Sequence, residues 1–496
     1  MLLVGGLDIG TTGCKLTVYD DSGKFVCNEY REYNVSRKNG EHEIDAGVIF
    51  EAVCDCLKAT VEKEPELAGF GVTTFGETFV MLDGEDKPLI SSMLYTDPRG
   101  GAEVEELKAK IPEDELIDIC GVKPHSMYAL PKIMWIKNNM PEVYEKCKHI
   151  LLMEDYIVYM LTGIAQIDYS LGARTMALDI REKCWSKKIF DAAGVDVSKM
   201  SKLVPTGTLA GNIKETLKKE LGLKNDIKII SGAHDQVAAA VGAGVFLAGQ
   251  AVDGAGTVEC ITPVFDKIPD NKELYDKGYC VVPFVSEGTY VCYAFSFTGG
   301  AVLKWHRDNF AKFEAEQAKA EGKNVYAELD SKIPENPTGI LVMPHFAGAA
   351  TPYMDNGSKA AMIGLTLEHT TEDIYKALME GVAYELMINV ENLRKFNMGF
   401  SEVYATGGGA SSSAWIQIKA DMLNQPITAL DALEAGTCGT CMMVLVAMGA
   451  YASLEETKKY FVKPKKTYTP NPENAKIYAE YFENYKKIYE AVRGLV

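Results

Sequence analysis

The sequence predicts an α/β protein of two domains that share one plan. Its 496 residues exceed what a single hydrophobic core usually serves. Each half opens with a glycine-rich strand–turn–strand, over 2–19 and 249–263, and later has a second glycine-rich turn between a strand and a helix. This repetition predicts domains over 1–245 and 246–496. We expect the ligand to lie in the cleft between them, because such clefts are common ligand sites.

Short strands and helices alternate along the first half. Apolar runs at Leu2–Leu7 and Leu16–Tyr19 predict a meander of strands joined by polar hairpins. Val48–Lys63 carries apolar side chains at helical spacing and predicts a helix packed on the sheet. Strand-like Ile227–Gly232 precedes the small-residue segment Asp235–Val245. That segment predicts a helix which another backbone approaches closely, because small side chains permit the approach.

The second half repeats this order with a longer helix. Val258–Pro263 and Val403–Thr406 are apolar and predict strands. Glu372–Lys395 has apolar side chains on one helical face and predicts a long amphipathic helix. Ala435–Ala450 is small and apolar, so we expect a buried helix there.

Composition excludes several classes of protein. The formal net charge of −18 would repel nucleic acid from most of the surface. No apolar segment reaches the roughly 18 uncharged residues that cross a membrane, and the N-terminus lacks the basic start of a signal peptide. The 12 cysteines are mostly isolated, which is typical of reduced thiols. We therefore expect a cytoplasmic protein without a nucleic-acid or membrane partner.

The first candidate motif is a glycine–threonine turn after an apolar strand that ends at Asp8. Gly10 and Gly13 allow backbone amides to face an anion, and Thr11 and Thr12 add hydroxyl donors. A carboxylate at this place can hold Mg²⁺ through water, because Mg²⁺ releases its water reluctantly. A plain hairpin turn is the alternative, and the motif by itself does not decide between the two.

The second motif is Ser231-Gly-Ala-His-Asp-Gln236, directly after a predicted strand. A carboxylate at the carboxyl end of a strand, at the start of a small-residue helix, would face a cleft. Asp235 is thus a candidate base for accepting the proton of a hydroxyl group, and Gln236 could bind another hydroxyl. The alternatives are a helix N-cap for Asp235 and a packing role for His234.

Two further glycine-rich turns lie in the second half. Gly254-Ala-Gly-Thr257 repeats the first motif, and a duplicated turn of this kind suits a polyphosphate held from both sides. Gly407-Gly-Gly-Ala-Ser411 follows a strand and would let a flat base lie against backbone. Thr298-Gly-Gly-Ala301 is similar, and each is weak when taken alone.

Together these motifs resemble the FGGY carbohydrate kinases, which have the actin/Hsp70-like ATPase fold. The resemblance extends from residue 5 to about residue 450. Its most specific segments are Gly6-Leu-Asp-Ile-Gly-Thr-Thr12, Ala233-His-Asp-Gln236, Gly407-Gly-Gly-Ala-Ser411 and Glu434-Ala-Gly-Thr-Cys-Gly439. It implies two ribonuclease-H-like domains around a central cleft, and transfer of the γ-phosphoryl group of MgATP to a small sugar or polyol.

The resemblance also implies a role for single residues. Asp235 would be the catalytic base with Gln236 beside it at the substrate, and Asp8 would lie near Mg²⁺ and hold it through water. Thr11 would be catalytic as a γ-phosphate contact. The implied nucleotide contacts are Thr11, Thr12, Lys15, Gly256, Thr257, Gly300, Gly408, Gly409 and Ser412.

The resemblance defines the identity and contacts of the acceptor less closely than those of the nucleotide. Glu77, Asp97 and Met127 would also contact it by resemblance to the family, Asp97 within a Tyr95-Thr-Asp-Pro-Arg99 stretch. Gly76 stands where glycerol kinases have Arg, and the Met-His pair of xylulose kinases is missing here. The adjacent His234 and Asp235 favour a ketose such as xylulose. Asp168, Ser170 and Arg174 resemble a segment that serves as scaffold more often than as contact, with a buried ion pair as the expected arrangement.

Other functions stay open at this point. Within the class, the acceptor could be ribulose, a deoxyhexulose such as fuculose, a tetritol, glycerol or a sugar acid. An actin-like or chaperone-like ATPase needs no base facing a sugar, and a silent sugar sensor would not need Asp8, Thr11 and Asp235 together. We expect a homodimer.

Overall fold

The computed structural model describes residues 1–431 and 434–495. Its strands up to residue 246 are β1 Leu3–Ile9, β2 Gly13–Asp20, β3 Phe25–Glu32, β4 Ser36–Lys38, β5 Glu41–Ile44, β6 Leu67–Thr74, β7 Phe79–Leu82, β8 Ser92–Met93, β9 His149–Leu152, β10 Gln166–Asp168, β11 Leu178–Asp179, β12 Cys184–Trp185, β13 Lys202–Val204, β14 Thr208–Asn212 and β15 Lys228–His234. The later strands are β16 Gln250–Ala255, β17 Glu259–Phe265, β18 Val282–Pro283, β19 Tyr290–Val291, β20 Ala294–Ser296, β21 Leu341–Met343, β22 Ala361–Ile363, β23 Glu402–Thr406, β24 Ile427–Leu430 and β25 Pro464–Tyr468.

Helices alternate with these strands. Up to residue 246 they are α1 Ala46–Lys63, α2 Gly101–Lys110, α3 Glu113–Cys120, α4 Ala129–Asn139, α5 Pro141–Lys146, α6 Met153–Thr162, α7 Tyr169–Gly172, α8 Lys187–Ala193, α9 Glu215–Glu220 and α10 Asp235–Gly242. The later helices are α11 Glu273–Asp276, α12 Gly300–Phe310, α13 Lys312–Glu321, α14 Val325–Asp330, α15 Thr371–Lys395, α16 Ser413–Leu423, α17 Ala435–Ala447, α18 Leu454–Phe461, α19 Pro472–Tyr485 and α20 Ile488–Val492. Short 3-10 turns cover Ala173–Thr175, Val197–Lys199 and Gly408–Ser411.

The chain forms two compact units. The first contains Met1–Phe246, Cys280–Val291 and Glu434–Phe461, and the other described residues form the second. Glu434–Phe461 therefore packs with the first unit, although it follows the predicted boundary between residues 245 and 246.

The sheet of the first unit has the strand order β14-β15-β6-β1-β2-β3. From β3 inward, β3–β2 and β2–β1 pair antiparallel, β1–β6 and β6–β15 pair parallel, and β15–β14 pairs antiparallel. Because the carboxyl ends of the parallel strands β1, β6 and β15 share one edge, side chains at their ends are brought close together.

The sheet of the second unit repeats this plan. From β20 inward, β20–β17 and β17–β16 pair antiparallel, β16–β23 and β23–β24 pair parallel, and β24–β25 pairs antiparallel. The same succession of pair types in both units confirms the repeated α/β plan that the two glycine-rich halves predict.

The long helices arise from apolar residues at helical spacing. In α1 the buried residues include Ile49, Val53 and Leu57, and the Asp45 side chain caps its first turn. Such a stripe buries one face of the helix against the sheet. Helix α15 of the second unit likewise has buried apolar residues, and Thr370 and Asp373 form a capping box at its start. Both predicted helices are thus confirmed.

Helices α10 and α17 pack backbone against backbone in the first unit. A Cβ atom built on Gly242 would lie 1.9 Å from the main-chain oxygen of Ala435, and one on Gly439 would lie 2.0 Å from that of Ala238. Only glycine permits this separation, because any larger side chain would overlap the neighbouring carbonyl. The close approach that the small-residue segment predicts is therefore present, and α17 is the partner.

Strand β1 meets the same helix. A Cβ atom on Gly6 would lie 2.2 Å from the main-chain oxygen of Thr437. Strand β1 and helices α10 and α17 thus form one glycine-lined contact, which we call the glycine junction. In the described parts of the chain, no helix is both long and apolar enough to span a membrane.

Substituting Gly242 tests the glycine junction. A helix favours alanine over glycine by up to about 1 kcal/mol, so G242A, at the last residue of α10, would not be expected to destabilise a helix without neighbours. Here the added methyl group would overlap Ala435, and overpacking costs about 1–3 kcal/mol. We expect a lower melting temperature for G242A. The control is G84A, whose new Cβ would have nothing within 4 Å; equal melting temperatures for both variants would contradict the packing.

Candidate active site

The turn between β1 and β2 is held by hydrogen bonds from several directions. The amide of Gly10 donates to the carbonyl of Gly13 at 2.9 Å, and the Tyr33 hydroxyl donates to the carbonyl of Gly10 at 2.7 Å. The amide of Tyr33 donates to the carbonyl of Thr12 at 3.1 Å. Thr11 is half-buried and Thr12 is exposed, so the turn presents threonines on a fixed backbone.

Lys15 and Glu434 form an ion pair next to this turn. Lys15 lies opposite Asp8 in the register of β1 and β2. Its Nζ donates to both carboxylate oxygens of Glu434, at 2.8 and 2.9 Å. Glu434 directly precedes α17, and a Cβ atom on Gly436 would lie 3.9 Å from Oδ2 of Asp8. The start of α17 therefore lies beside Asp8, and the predicted nucleotide contact Lys15 already has a carboxylate partner.

The protein around Asp8 disfavours its charge. Burial is the largest cause, and with the nearby charge of Asp235 it raises the pKa of Asp8 to about 7. The Lys15 ammonium lowers this pKa, while Glu434 raises it further. A cation placed next to Asp8 would reverse the shift, because it would favour the ionised carboxylate.

Asp235 is the first residue of α10, immediately after β15. The preceding His234, not Asp235, is at the N-cap position, so the alternative of a capping aspartate is wrong. Oδ1 of Asp235 is buried and accepts no hydrogen bond, with Nδ1 of His234 3.3 Å away, although 39% of the side chain is exposed. Burial raises the pKa of Asp235 to about 6, against hydrogen bonds from Gln236 and the charge of Arg174. A carboxylate of this kind can accept a proton near neutral pH.

Hydrogen bonds hold the end of β15 that leads to this carboxylate. The amide of His234 donates to the Ser170 hydroxyl at 2.9 Å, and that hydroxyl donates to Asp168 at 3.0 Å. Gln166 donates to the hydroxyl of Ser231 at 3.0 Å. The segment around Asp168 is therefore scaffold. Burial and the charge of Arg174 lower the pKa of His234 to about 3, so the imidazole is neutral.

Arg174 forms a buried ion pair with Glu77. Its Nε donates to Oε1 of Glu77 at 2.6 Å, and a second guanidinium nitrogen contacts the same oxygen. The guanidinium also lies 5.1 Å from the centre of the Tyr128 ring. A Cβ atom on Gly76 would lie 2.8 Å from Cγ of Arg174 and 3.2 Å from His234, so a larger residue at 76 would displace this arginine.

Asp97 and Met127, two of the predicted acceptor contacts, lie outside the Glu77–Arg174 ion pair. Both oxygens of the buried Asp97 accept bonds from Arg99 at 2.8 Å, and one also accepts from the amide of His42 at 2.7 Å. Although burial opposes it, these bonds lower the pKa of Asp97. Met127 is half-buried next to Tyr128 in the chain. Asp97 thus binds Arg99 of its own loop and the amide of His42 in β5. Direct contacts of Asp97 and Met127 with an acceptor stay predictions.

Tyr95 lies in the Tyr95-Thr-Asp-Pro-Arg99 stretch and has no predicted role of its own. Burial, with the charges of Glu77 and Asp235, raises its pKa. The side chain is 41% exposed. The sequence gives no sign that the charges of both carboxylates act on this tyrosine.

In the second unit, the predicted phosphate turn is bonded to the start of α12. The amide of Gly256 donates to the carbonyl of Val258 at 3.0 Å, which closes the turn. The amide of Gly300 donates to the carbonyl of Gly256 at 2.8 Å, and the amides of Gly299 and Ala301 donate to that of Thr257 at 2.9 and 3.2 Å. Thr257 is exposed at the tip, so its hydroxyl is available to a ligand.

The predicted base-binding loop has one open position. A Cβ atom on Gly408 would meet nothing within 4 Å, whereas one on Gly409 would lie 2.7 Å from Cβ of Ala255. Gly408 thus has free space over its backbone, and Gly409 is needed for packing. Ser412 caps α16 by accepting the amide of Trp415 at 3.0 Å, and it donates to Asp330 at 2.7 Å. Its nucleotide contact therefore stays a prediction for a hydroxyl with two protein partners.

In the first unit, Asp8, Lys15, Glu77 and Asp235 lie on or shortly after the neighbouring strands β1, β2, β6 and β15. Gln236 is half-buried next to Asp235. Over residues 1–431 and 434–495, no group of three or more His, Cys, Asp or Glu side chains could hold a metal ion. A Mg²⁺ ion at Asp8 would therefore keep most of its water, as this ion usually does.

The raised pKa of Asp8 makes its charge destabilising, which a neutral variant tests. A carboxylate whose folded pKa lies above its unfolded pKa costs stability as pH rises through the folded value. D8N should therefore raise the melting temperature at pH 8 and have a smaller effect at pH 5. The control is D20N in β2: hydrogen bonds from Ser22 and Lys24 lower the pKa of Asp20 against its burial, so this variant should lose stability at pH 8. A lower melting temperature for D8N at pH 8 would contradict the electrostatics.

Comparisons with known proteins agree with this geometry. Residues 3–242 match the N-terminal domain of the FGGY family of carbohydrate kinases, and residues 275–448 match its C-terminal domain. A xylulose kinase of Lactococcus lactis subsp. lactis is 27% identical over 99% of this chain and 97% of that protein. A gluconokinase of Bacillus licheniformis is 28% identical over 95% of this chain and 93% of that protein.

Solved structures have the same fold over the full length. A gluconate kinase from Lactobacillus acidophilus, 25% identical, superposes with a TM-score of 0.88 over 99% of this chain and 98% of its own. A ligand-bound xylulose kinase from the same species, 24% identical, has a TM-score of 0.87 over 99% of this chain and 98% of its own, a likeness in fold alone. With both domain matches and the ribonuclease-H-like sheets of both units, the chain belongs to the FGGY family of carbohydrate kinases.

Proposed function

We propose that this carbohydrate kinase transfers the γ-phosphoryl group of ATP to a terminal hydroxyl of a ketose, in particular a pentulose such as xylulose. The observation that carries the proposal is the Asp235 carboxylate, which has a buried oxygen without a partner and a pKa raised to about 6 by burial. The 27% identity to a xylulose kinase over nearly the whole chain supports the choice of sugar.

Asp235 acts as the general base. It takes the proton of the acceptor hydroxyl while that oxygen forms a bond to the γ-phosphorus and the bond to the bridging oxygen breaks, which releases ADP. The charge that spreads over the phosphoryl oxygens needs fixed donors, and the amides and hydroxyls of the turn at Thr11 and Thr12 are such donors. The hydrogen bonds of that turn to Tyr33 keep it in place before the ligand arrives.

A neutral acceptor fits the charges of the first unit. Arg174 and Lys15, the cations whose charges act on Asp235 and Asp8, are both paired, Arg174 with Glu77 and Lys15 with Glu434. The carboxylate of a sugar acid would have to compete with these glutamates for a cation. Hydroxyl groups of a ketose need only donors and acceptors, which Glu77 and Gln236 can supply.

Asp8 fits a magnesium role. Its carboxylate is disfavoured as an anion by burial and by Asp235, and a divalent cation would relieve both effects. Bound Mg²⁺ would neutralise part of the phosphate charge. Asp8 itself would hold the ion through water and orient it.

The remaining nucleotide contacts follow the matched family motifs. Lys15 in the first unit would bind phosphate, and Thr257 in the second would do the same from its exposed tip. The other contacts in the second unit would be Gly256, Gly300, Gly408, Gly409 and Ser412. Asp97 and Met127 would shape the acceptor side. A homodimer and a cytoplasmic location remain part of the proposal.

A sugar acid is the second candidate acceptor. The gluconokinase of Bacillus licheniformis is 28% identical, slightly more than the xylulose kinase of Lactococcus lactis. The paired cations of the first unit favour the ketose over this candidate.

A panel of acceptors tests the proposed function directly. We expect ADP release to be fastest with a pentulose, slower with polyols and slowest with gluconate, measured by coupled assay at saturating MgATP. A reaction without acceptor is the control. Preferred turnover of gluconate would replace the ketose by the second candidate, and ADP release that no sugar or polyol increases would contradict the sugar-kinase proposal.

The pH profile tests the role of Asp235. Only the ionised carboxylate accepts a proton, so kcat/KM for the acceptor should fall below about pH 6. Because the charge of Arg174 lowers the pKa of Asp235, R174M should move this fall to higher pH, whereas R174K should leave it closer to the wild-type position. A profile that is flat from pH 5 to 8 in the wild type, or unmoved in R174M, would contradict the assignment.

A further inference from the structure

The second unit contains a fully buried lysine bound by two carboxylates. Nζ of Lys419, on α16, donates to Oδ2 of Asp253 at 2.8 Å and to Oε1 of Glu259. The side chains of Lys419 and Asp253 are 0% exposed and that of Glu259 is 3% exposed. The ammonium also lies 4.8 Å from the centre of the Trp415 ring, one turn earlier on the same helix. We call Asp253, Glu259 and Lys419 the buried triad.

The buried triad combines one cationic side chain with two acidic ones. Burial works to lower the pKa of Lys419, but the two carboxylates outweigh it and the pKa is raised. Burial and the charge of Asp253 raise the pKa of Glu259 well above its usual range. Oδ1 of Asp253 and Oε2 of Glu259 are buried without a partner. A proton on Glu259, shared with Asp253, would satisfy these oxygens and leave one anion facing one cation.

The two carboxylates are located on either side of the predicted phosphate turn. Asp253 is in β16 and Glu259 begins β17, and Ala255 pairs with Glu259 in the hairpin. The residues between them include Thr257, whose carbonyl is bonded to the start of α12. The triad therefore fixes the base of the hairpin whose tip carries the threonine.

Lys419 belongs to the helix that follows the predicted base-binding loop. Ser412 caps this helix, and Trp415 in its first turn lies under the loop. A Cβ atom on Gly409 would lie 2.7 Å from Ala255 and 3.0 Å from the Trp415 ring. The loop thus packs against the hairpin. Lys419, two helical turns after Ser412, binds α16 to the same hairpin.

Stability alone does not explain such a group. Desolvation of buried charges offsets most of their attraction, and well-packed apolar residues often replace a buried ion pair without loss of stability. What the ions add is a fixed geometry, because each hydrogen bond is satisfied in only one register. Here the fixed geometry sets the position of the Thr257 turn relative to the Gly408 loop.

We propose that Lys419, through Asp253 and Glu259, is a positioning residue that holds the Thr257 turn and the Gly408 loop in register for the nucleotide. The buried triad touches no nucleotide atom itself, since its side chains are enclosed. The inference rests on the proposed nucleotide roles of Thr257 and Gly408.

The test measures ADP affinity by calorimetry on the full chain, so it needs no acceptor. K419M alone leaves two carboxylates without their cation and is expected to fold poorly. The informative variant is therefore D253V/E259M/K419M, which replaces all three polar side chains by apolar ones together. We expect its melting temperature to stay near that of the wild type and its ADP affinity to fall about tenfold or more, because small misplacements of binding groups cost this much.

Two matched variants separate the possible results. K376M removes another buried lysine of the second unit. Lys376 is on α15 and donates to the carbonyls of Pro334, Glu335 and Asn336, so K376M should lower the melting temperature without changing ADP affinity. T257A should weaken ADP if the turn binds nucleotide. Weaker ADP binding in T257A and the triple variant, with K376M unchanged, supports the inference.

The remaining results overturn it. If T257A weakens ADP binding and a folded triple variant does not, the positioning role is wrong while the nucleotide role stands. If neither changes ADP affinity, both are wrong. An equal loss in K376M would show general loosening of the unit, which also contradicts a specific role.

Discussion

The glycine junction is the constraint on which the first unit's site depends. Backbone meets backbone at Gly242 and Gly439, at separations that leave no room for a side chain. Each of the three elements in this junction carries a carboxylate at its end: Asp8 on β1, Asp235 at the start of α10 and Glu434 before α17. The short separations therefore decide how close these three charges come. A bulkier contact would move the carboxylates apart without touching any of them.

This arrangement has an electrostatic consequence. Burial raises the pKa values of both Asp8 and Asp235 towards neutrality, and the charges of Asp235 and Glu434 add to the shift of Asp8. Groups with shifted pKa values of this kind are common at functional sites, where the cost in stability is tolerated for their chemistry. Lys15 offsets part of the charge and is itself held by Glu434. The site therefore suits a cation next to Asp8 and a proton donor next to Asp235, which a metal-bound phosphate and a sugar hydroxyl would supply.

Much of the fold could be predicted because its signals are local. The strand–turn–strand at Asp8, the helix after β15 and the small-residue helix α17 follow from periodicity, glycine and side-chain size over short windows. The order of the motifs was sufficient to indicate the family. The position of Asp235 at a strand end follows from the same local pattern.

The features that the sequence does not predict are contacts between residues far apart in the chain. Lys15 and Glu434 are 419 positions apart, and Arg174 meets Glu77 over 97 positions. No local pattern pairs such residues, so the sequence predicts Lys15 as a nucleotide contact without its glutamate partner. The capping role of Ser412 could have been predicted from its place before an apolar helix, because serine is a favoured N-cap.

The central claim is that the Asp235 carboxylate deprotonates the acceptor. Its most direct test is the single-turnover rate of D235N, an isosteric variant that cannot act as a base, with ADP and acceptor affinities measured separately. We expect the rate to fall at least about 10²-fold while both affinities stay close to those of the wild type. A single-turnover rate near that of the wild type would contradict the account.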